Sequence, residues 1–157
     1  MENQLTILAE SLEKKIQVLG RIQAYNKRQE QAFLEETADF DAFDAALEEK
    51  GVLIEELNKL DNGFELLYER LAKQLEANRE KYAEEIRSIQ QQIAVITEMG
   101  MTIQAQEQRN KKLIEDYFSK QRAGIREGRK TSKTAYDYYK KVNHVGYAPP
   151  QFMDSKQ

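Results

Sequence analysis

The chain has 157 residues, 32% of them charged and 40% hydrophobic, with 2 Pro, 7 Gly, no Trp and no Cys. That length is of the order of one domain, and the mix suits long polar-faced helices around a thin apolar seam better than a sheet protein. The lack of Cys excludes disulfides and thiolate metal sites. Aliphatic runs no longer than "VLI" and "IAVI" exclude a membrane-spanning segment. The start "MENQLTILAESLEKK" lacks the cationic, apolar pattern of a signal peptide, so the chain reads as soluble and cytoplasmic, with no membrane insertion. The net charge of −3 is unevenly spread. Residues 30–99 hold 18 acidic against 7 basic side chains, whereas residues 100–157 hold 6 against 12. An acidic body with a basic end suggests an interaction tail, although a solvated helix face produces the same asymmetry.

In chain order, Leu5, Leu8, Leu12, Lys15 or Ile16, Leu19, Ile22, Asn26, Gln29 and Phe33 step by threes and fours. The spacing predicts a first helix over about 4–36, with Asn3 as its N-cap. The cluster "ETADFDAFD" interrupts it, and Asp39 or Asp41 can cap a second helix over about 40–61. Gly51 lies inside that helix. "LDNG" is the clearest punctuation in the chain, since Asn-Gly adopts positive φ readily, and Asn62 with Glu65 resembles a capping box. A third helix is therefore expected over about 64–98 and a fourth over about 101–126, with Gly100 as kink, end or neither. Unbroken, residues 64–126 would make a rod of roughly 95 Å. The first two helices are too short to cover such a rod, so part of 101–126 should be free or packed on another chain.

Beyond Gly128 the aliphatic period stops and four of the 8 Tyr gather, at 136, 138, 139 and 147. "TAYD" can cap a short helix ending near Val142, and Pro149 and Pro150 forbid helix after it. Residues 128–157 are expected to form a basic, Tyr-rich, flexible tail. The fold class is thus all-α: an antiparallel, coiled-coil-like bundle of three to four long helices over 1–127, followed by this tail.

Chemistry is sparse. Nucleophilic catalysis needs an activating base, yet the chain has no Cys and a single His, His144, in the tail. The run Asp39, Asp41, Asp44, Glu48, Glu49 fails as a calcium loop, because Asp44 stands where the central Gly belongs and Lys50 where the bidentate Glu belongs. No Gly-rich loop follows a strand. The chain reads as a non-enzyme with no cofactor, no metal and no small-molecule substrate. Of the polar seam residues, Asn78 is expected to fix register, and Glu107 and Asn110 to fix register or form a recognition stripe. The basic residues from Lys120 to Lys141, interleaved with tyrosines, allow a nucleic-acid or ribosome-associated alternative, against which the acidic body argues.

The segments "ALEEKGVLIEELNKLDNGFELLYERL" and "IQQQIAVITEMGMTIQAQEQRN" resemble those of FlgN-family flagellar type III export chaperones, over most of the chain as far as "AYDYY". The filament-cap export chaperone has a similar rhythm and is the alternative within the class. The resemblance implies a cytosolic chaperone that binds C-terminal segments of hook–filament junction proteins, keeps them unassembled and delivers them to the export apparatus. It also implies cargo binding by the C-terminal helical region, here about residues 101–142. Apolar capture of an amphipathic helix would then fall to Ile103, Ile114, Tyr117, Phe118 and Ile125, with Tyr136 and Tyr139 as anchors and nearby Lys and Arg steering an acidic partner. A homo-oligomer, or a purely structural coiled coil, is the remaining expectation.

Overall fold

The computed structural model describes residues 1–34, 38–120, 133–142, 147 and 149–153. Its elements are helices: α1 (Glu2–Leu34), α2 (Phe40–Ala77), α3 (Ala83–Lys120) and a short α4 over residues 133–142. The fold class is the expected all-α bundle. No helix among the described residues is long and apolar enough to cross a membrane.

α1 is the axle. Lys15 Nζ meets Asp61 Oδ1 at 2.6 Å and Gln29 Nε2 reaches the Phe43 carbonyl at 3.4 Å, so α2 runs antiparallel to α1. Gln92 Nε2 donates to the Ala9 carbonyl and Asn110 Nδ2 to the Asn26 carbonyl, each at 3.0 Å, so α3 runs parallel to α1. The seams are heptads. On α2, Phe43, Leu47, Lys50, Ile54, Leu57, Phe64, Leu71 and Leu75 are buried, and on α3 Ile86, Ile89, Ile96, Ile103 and Ile114. Fully burying one such aliphatic or aromatic side chain stabilises by about 1.5–3 kcal/mol.

The helix boundaries differ from those expected at "DNG", where α2 continues without a break. Asn62 and Gly63 lie exposed on its outer face, and space around Gly63 is open. A helical Gly costs about 1 kcal/mol against Ala, which the uninterrupted seam outweighs: Leu57, Asp61, Phe64 and Tyr68 keep the four–three spacing across the dipeptide, with Asp61 paired to Lys15 of α1 and Tyr68 against Phe152. α2 ends instead at Ala77, with Asn78 as C-cap donating its N–H to the Leu75 carbonyl at 3.2 Å. Asn78 is therefore a cap and not a seam residue. With Lys15 beside Asp61, residues past 77 would project beyond the start of α1, so the chain turns there and α3 begins behind Glu84 and Glu85, which suit a helix N-terminus. At the other end Asp39 is the N-cap of α2, its Oδ1 accepting from Ala42 N at 3.0 Å. Asn3 is not a cap, since α1 begins at Glu2, one residue before it.

α3 is likewise continuous through Gly100. The seam expected to lie free or on another chain is covered from within. α4 and residues 147 and 149–153 occupy the groove between α2 and α3: Lys141 pairs with Glu55 of α2 at 2.6 Å, Phe152 packs at a tilt on Tyr68 at 5.0 Å, and Gln90 Nε2 of α3 donates to the Met153 carbonyl at 3.2 Å. A short helix does run to Val142, but it already includes Lys133, so Thr134 of "TAYD" lies within it and is not its cap. Where the stretch 128–157 is described, it is packed, with Tyr138, Tyr147 and Met153 buried. Ile125, His144 and the basic residues between 121 and 132 lie outside the described residues.

Gly100 serves this docking. A Cβ there would stand 2.5 Å from the Tyr147 carbonyl oxygen, a backbone atom that cannot rotate away. Gly100→Ala should raise the helix propensity of α3 by about 1 kcal/mol yet forfeit the burial of Tyr147, Phe152 and Met153, worth more in sum. The expected result is unchanged helix content with fast amide hydrogen exchange at Tyr147 and Met153. Preserved protection there would show that the close approach is not required.

Candidate partner-binding groove

The groove follows from how α4 sits on α3. Ala135 and Tyr138 point into the bundle, and their three-residue spacing puts Tyr139 and Tyr136 progressively further round the helix. A cavity of about 360 Å³ opens beside them, lined by Ile114 and Phe118 of α3 and by Ala135, Tyr136 and Tyr139 of α4, with Lys111, Glu115 and Lys140 supplying charge. A second, of about 480 Å³, is lined by Gln104, Glu107 and Gln108 of α3 and by Val142 and Tyr147 opposite. Lys111 and Tyr139 line both. The cavities are thus two ends of one groove following α3 from 104 to 118, about 21 Å at 1.5 Å per residue. Aliphatic and aromatic side chains are the majority at the first end and amide or charged side chains at the second, though both ends expose more apolar than polar surface.

Beneath the second end lies a buried network. Lys50 of α2 is 0% exposed; its Nζ donates to Glu107 Oε1 and, at 2.6 Å, to Asn26 Oδ1, and lies 4.3 Å from the centre of the Tyr138 ring. Asn26 Nδ2 in turn donates to Gln106 Oε1 at 3.1 Å, and Asn110 Nδ2 reaches Gln29 Oε1 at 3.4 Å. Burial pulls the Lys50 ammonium below its ordinary range, opposed by the Glu107 carboxylate. The Tyr138 and Tyr147 hydroxyls meet at 3.2 Å. Burial, with Glu107 nearby, pushes Tyr138, Tyr139 and Tyr147 well above the ordinary tyrosine range. The Tyr139 hydroxyl is sealed from solvent without a hydrogen-bond partner, and the Tyr138 hydroxyl bears on the Glu107 carboxylate, whose Oε2 is likewise sealed.

Past the first end stands an aromatic cluster that closes the α1–α2 turn. Phe33 packs edge-on against Phe40, Phe43 and Tyr117, and Phe40 stacks on Phe118 with ring centres 5.7 Å apart and planes 7° from parallel. Edge and offset pairs of this kind contribute about 0.5–1.5 kcal/mol each beyond area burial. Leu34, 69% exposed, lies next to it.

Of the residues expected to capture a partner, Ile114, Phe118, Tyr136 and Tyr139 are brought together at the first end. Tyr136 is 67% exposed and available as an anchor. Tyr117 belongs to the aromatic cluster. Ile103 is fully buried in the bundle and reaches no partner without opening it. Glu107 and Asn110 form no exposed stripe, because Lys50, Asn26 and Gln29 occupy their faces. Sequence reasoning missed Tyr138 and Lys50, though the step Ala135, Tyr138, Val142 is itself an i, i+3, i+7 stripe. It missed Lys111 too, which α4 alone makes part of a site. Among the described residues no group of three or more His, Cys, Asp or Glu could hold a metal ion. No protein-family model, no curated protein and no solved structure matches the chain.

Proposed function

We propose that this protein is a cytoplasmic export chaperone of the FlgN type, which holds C-terminal helices of hook–filament junction proteins and delivers them to the flagellar type III export apparatus. The observation that carries the reading is the open apolar cavity where Ile114, Phe118, Tyr136 and Tyr139 meet along a helix–helix seam. A seam of this kind accepts a third helix by its apolar face, with anchors spaced one helical turn apart. Lys111 and Lys140 beside it favour a partner with acidic residues flanking its apolar stripe. Junction-protein ends are amphipathic helices that bury those stripes on assembly, and a chaperone must cover them until export. The filament-cap protein's C-terminal helix is the competing cargo of the same class.

Calorimetric titration of the full chain with C-terminal peptides of the junction proteins and of the filament-cap protein, all from the source genome, tests this. One junction peptide is expected to bind, and Phe118→Ala with Tyr136→Ala to weaken it by about tenfold or more, as loss of buried anchors does. Binding of the cap peptide alone would change the cargo. If neither binds while RNA does, with affinity falling steeply in salt, the reading gives way to phosphate recognition.

A further inference from the structure

We infer that the strap formed by residues 147 and 149–153 is the latch of the groove. Seated on α2 and α3, it holds α4 in place as the groove's second wall; when it lifts, the groove comes apart and a captured partner is released. The inference rests on partner capture at this groove, though not on the flagellar identity of the partner.

α4 has little of its own to hold it. It covers residues 133–142, fewer than an isolated helix needs to persist in water. Its fully inward residues are Ala135 and Tyr138, with Tyr139 and Val142 half-buried beside them. The ion pair it makes to α2, Lys141 with Glu55, is exposed on both sides and so contributes little. The strap adds the missing hold. Tyr147 is buried, its hydroxyl meets that of Tyr138 at 3.2 Å, and its carbonyl lies against Gly100 of α3 with no space for a Cβ between them. Further along, the Phe152 ring stands 6.2 Å from that of Phe64 and 5.0 Å from that of Tyr68, both on α2. The Met153 side chain is buried and its carbonyl accepts from Gln90 of α3. The strap therefore grips both helices between which α4 must lie. Tyr147 also lines the cavity that Glu107 lines. Lifting it would admit water to the Lys50–Glu107 pair and to the Lys50 contact with the Tyr138 ring, and both weaken as the surroundings become wet. Tyr138 is the residue through which the latch acts, because its inward position fixes the phase that sets Tyr136 and Tyr139 on the groove.

The test uses the full chain carrying Phe152→Ala with Met153→Ala. Met153 sits at Gln90, about 21 Å along α3 from the groove's near end at Gln104, so these changes touch no partner lying on 104–118. Amide hydrogen exchange at Tyr138 and Tyr139 is expected to speed up by at least about tenfold, while the amides of α1 keep their protection. The junction peptide that binds the unaltered chain should bind this variant about tenfold more weakly, since apparent affinity falls with the fraction of molecules whose site is assembled. The sequence has no Cys. Glu55→Cys with Lys141→Cys, joined by a short bis-maleimide, therefore ties α4 to α2 without the strap. Added to the strap variant, the tether should restore slow exchange and affinity together. Slow exchange at Tyr138 and Tyr139 in the untethered variant would overturn the latch, because α4 would then dock unaided. Tighter peptide binding by the strap variant would overturn it too, since the strap would compete for the groove instead of building it. So would loss of protection throughout α1, which would make the strap part of the core, or a tethered variant that still binds weakly. If no junction peptide binds the unaltered chain while exchange in α4 still follows the strap, the export reading fails and the hold of the strap on α4 stands.

Discussion

Lys50→Ala is expected to destabilise the protein by about 3–5 kcal/mol, the largest loss expected from any single polar substitution in the bundle. The figure follows from what is left behind. Lys50 Nζ is the ion-pair partner of Glu107, the donor to Asn26 Oδ1 and the cation against the Tyr138 ring. Without it a carboxylate stays buried between α3 and α4 with no counter-charge, and an amide oxygen loses its donor. Chemical denaturation of the single variant reads the loss directly; a change below about 1 kcal/mol, the scale of an exposed ion pair, would mean the site is wetter than its burial indicates.

The same pair need not be a net stabiliser. Desolvating two charges offsets most of their attraction, and apolar replacements of a buried pair are often neutral or better. Lys50→Met with Glu107→Leu should therefore recover most of what Lys50→Ala loses. It should still fall short by about 1–3 kcal/mol for the unpaired Asn26 Oδ1. What the polar set contributes is register. Every helix here presents a heptad seam, and a helix slid by seven residues would still put apolar side chains against α1. Only in the native register do Asn26, Lys50, Glu107 and Asn110 meet at one level. The double variant should thus be nearly as stable but conformationally mixed, visible as doubled or broadened amide resonances. A single sharp set would show that aliphatic packing alone fixes the register.

The seams were legible because a three–four period is local information, and the buried face of α1 follows it, with Leu5, Leu8, Leu12, Lys15, Leu19, Ile22, Asn26 and Gln29 all buried. The breaks were not, because they answer to length matching across the bundle. "DNG" carries the strongest local turn signal in the chain and is overridden, since a turn there would leave Phe64 to Leu75 without α1. "ANREKY" carries little signal and turns, since α1 has run out. The groove was half legible. Tyr136, Tyr139, Ile114 and Phe118 stood out as aromatic or apolar residues near the basic end, and they do meet. That Tyr138 lies inside and Tyr136 outside depends on the phase of a ten-residue helix relative to α2 and α3. Lys50 read as an ordinary charge in an acidic helix until α3 and α4 brought Glu107 and Tyr138 to it.

The second large effect is expected in alkali, with a direction set by opposing groups. Tyr138, Tyr139 and Tyr147 have folded-state pKa values raised above their unfolded value of 10.0, chiefly by burial. Below pH 10 they are protonated in both states and exert no pH dependence. Above it the unfolded chain gives up protons that the folded protein keeps, so stability falls as pH rises. While the three stay protonated in the fold, each pH unit beyond 10 removes about 1.4 kcal/mol per tyrosine, or roughly 8 kcal/mol in total by pH 12. That is comparable with the whole stability of a small domain. Lys50 acts in the opposite sense: its lowered folded-state pKa makes stability rise with pH up to its unfolded value of 10.5, and contribute nothing further above it. The net expectation is a gain towards pH 10 followed by a loss above it. All three tyrosines sit on α4 or the segment beyond it, and Tyr68 of α2, whose pKa burial also raises, packs on Phe152 of that segment, so the C-terminal segment should leave its groove before the long helices melt. Phenolate absorbance and amide exchange at Tyr138 and Tyr147 should then change together, ahead of the loss of helical circular dichroism. Tyr138→Phe should shift that release to higher pH. A single cooperative transition unaffected by Tyr138→Phe would place the alkaline sensitivity in the three-helix core instead.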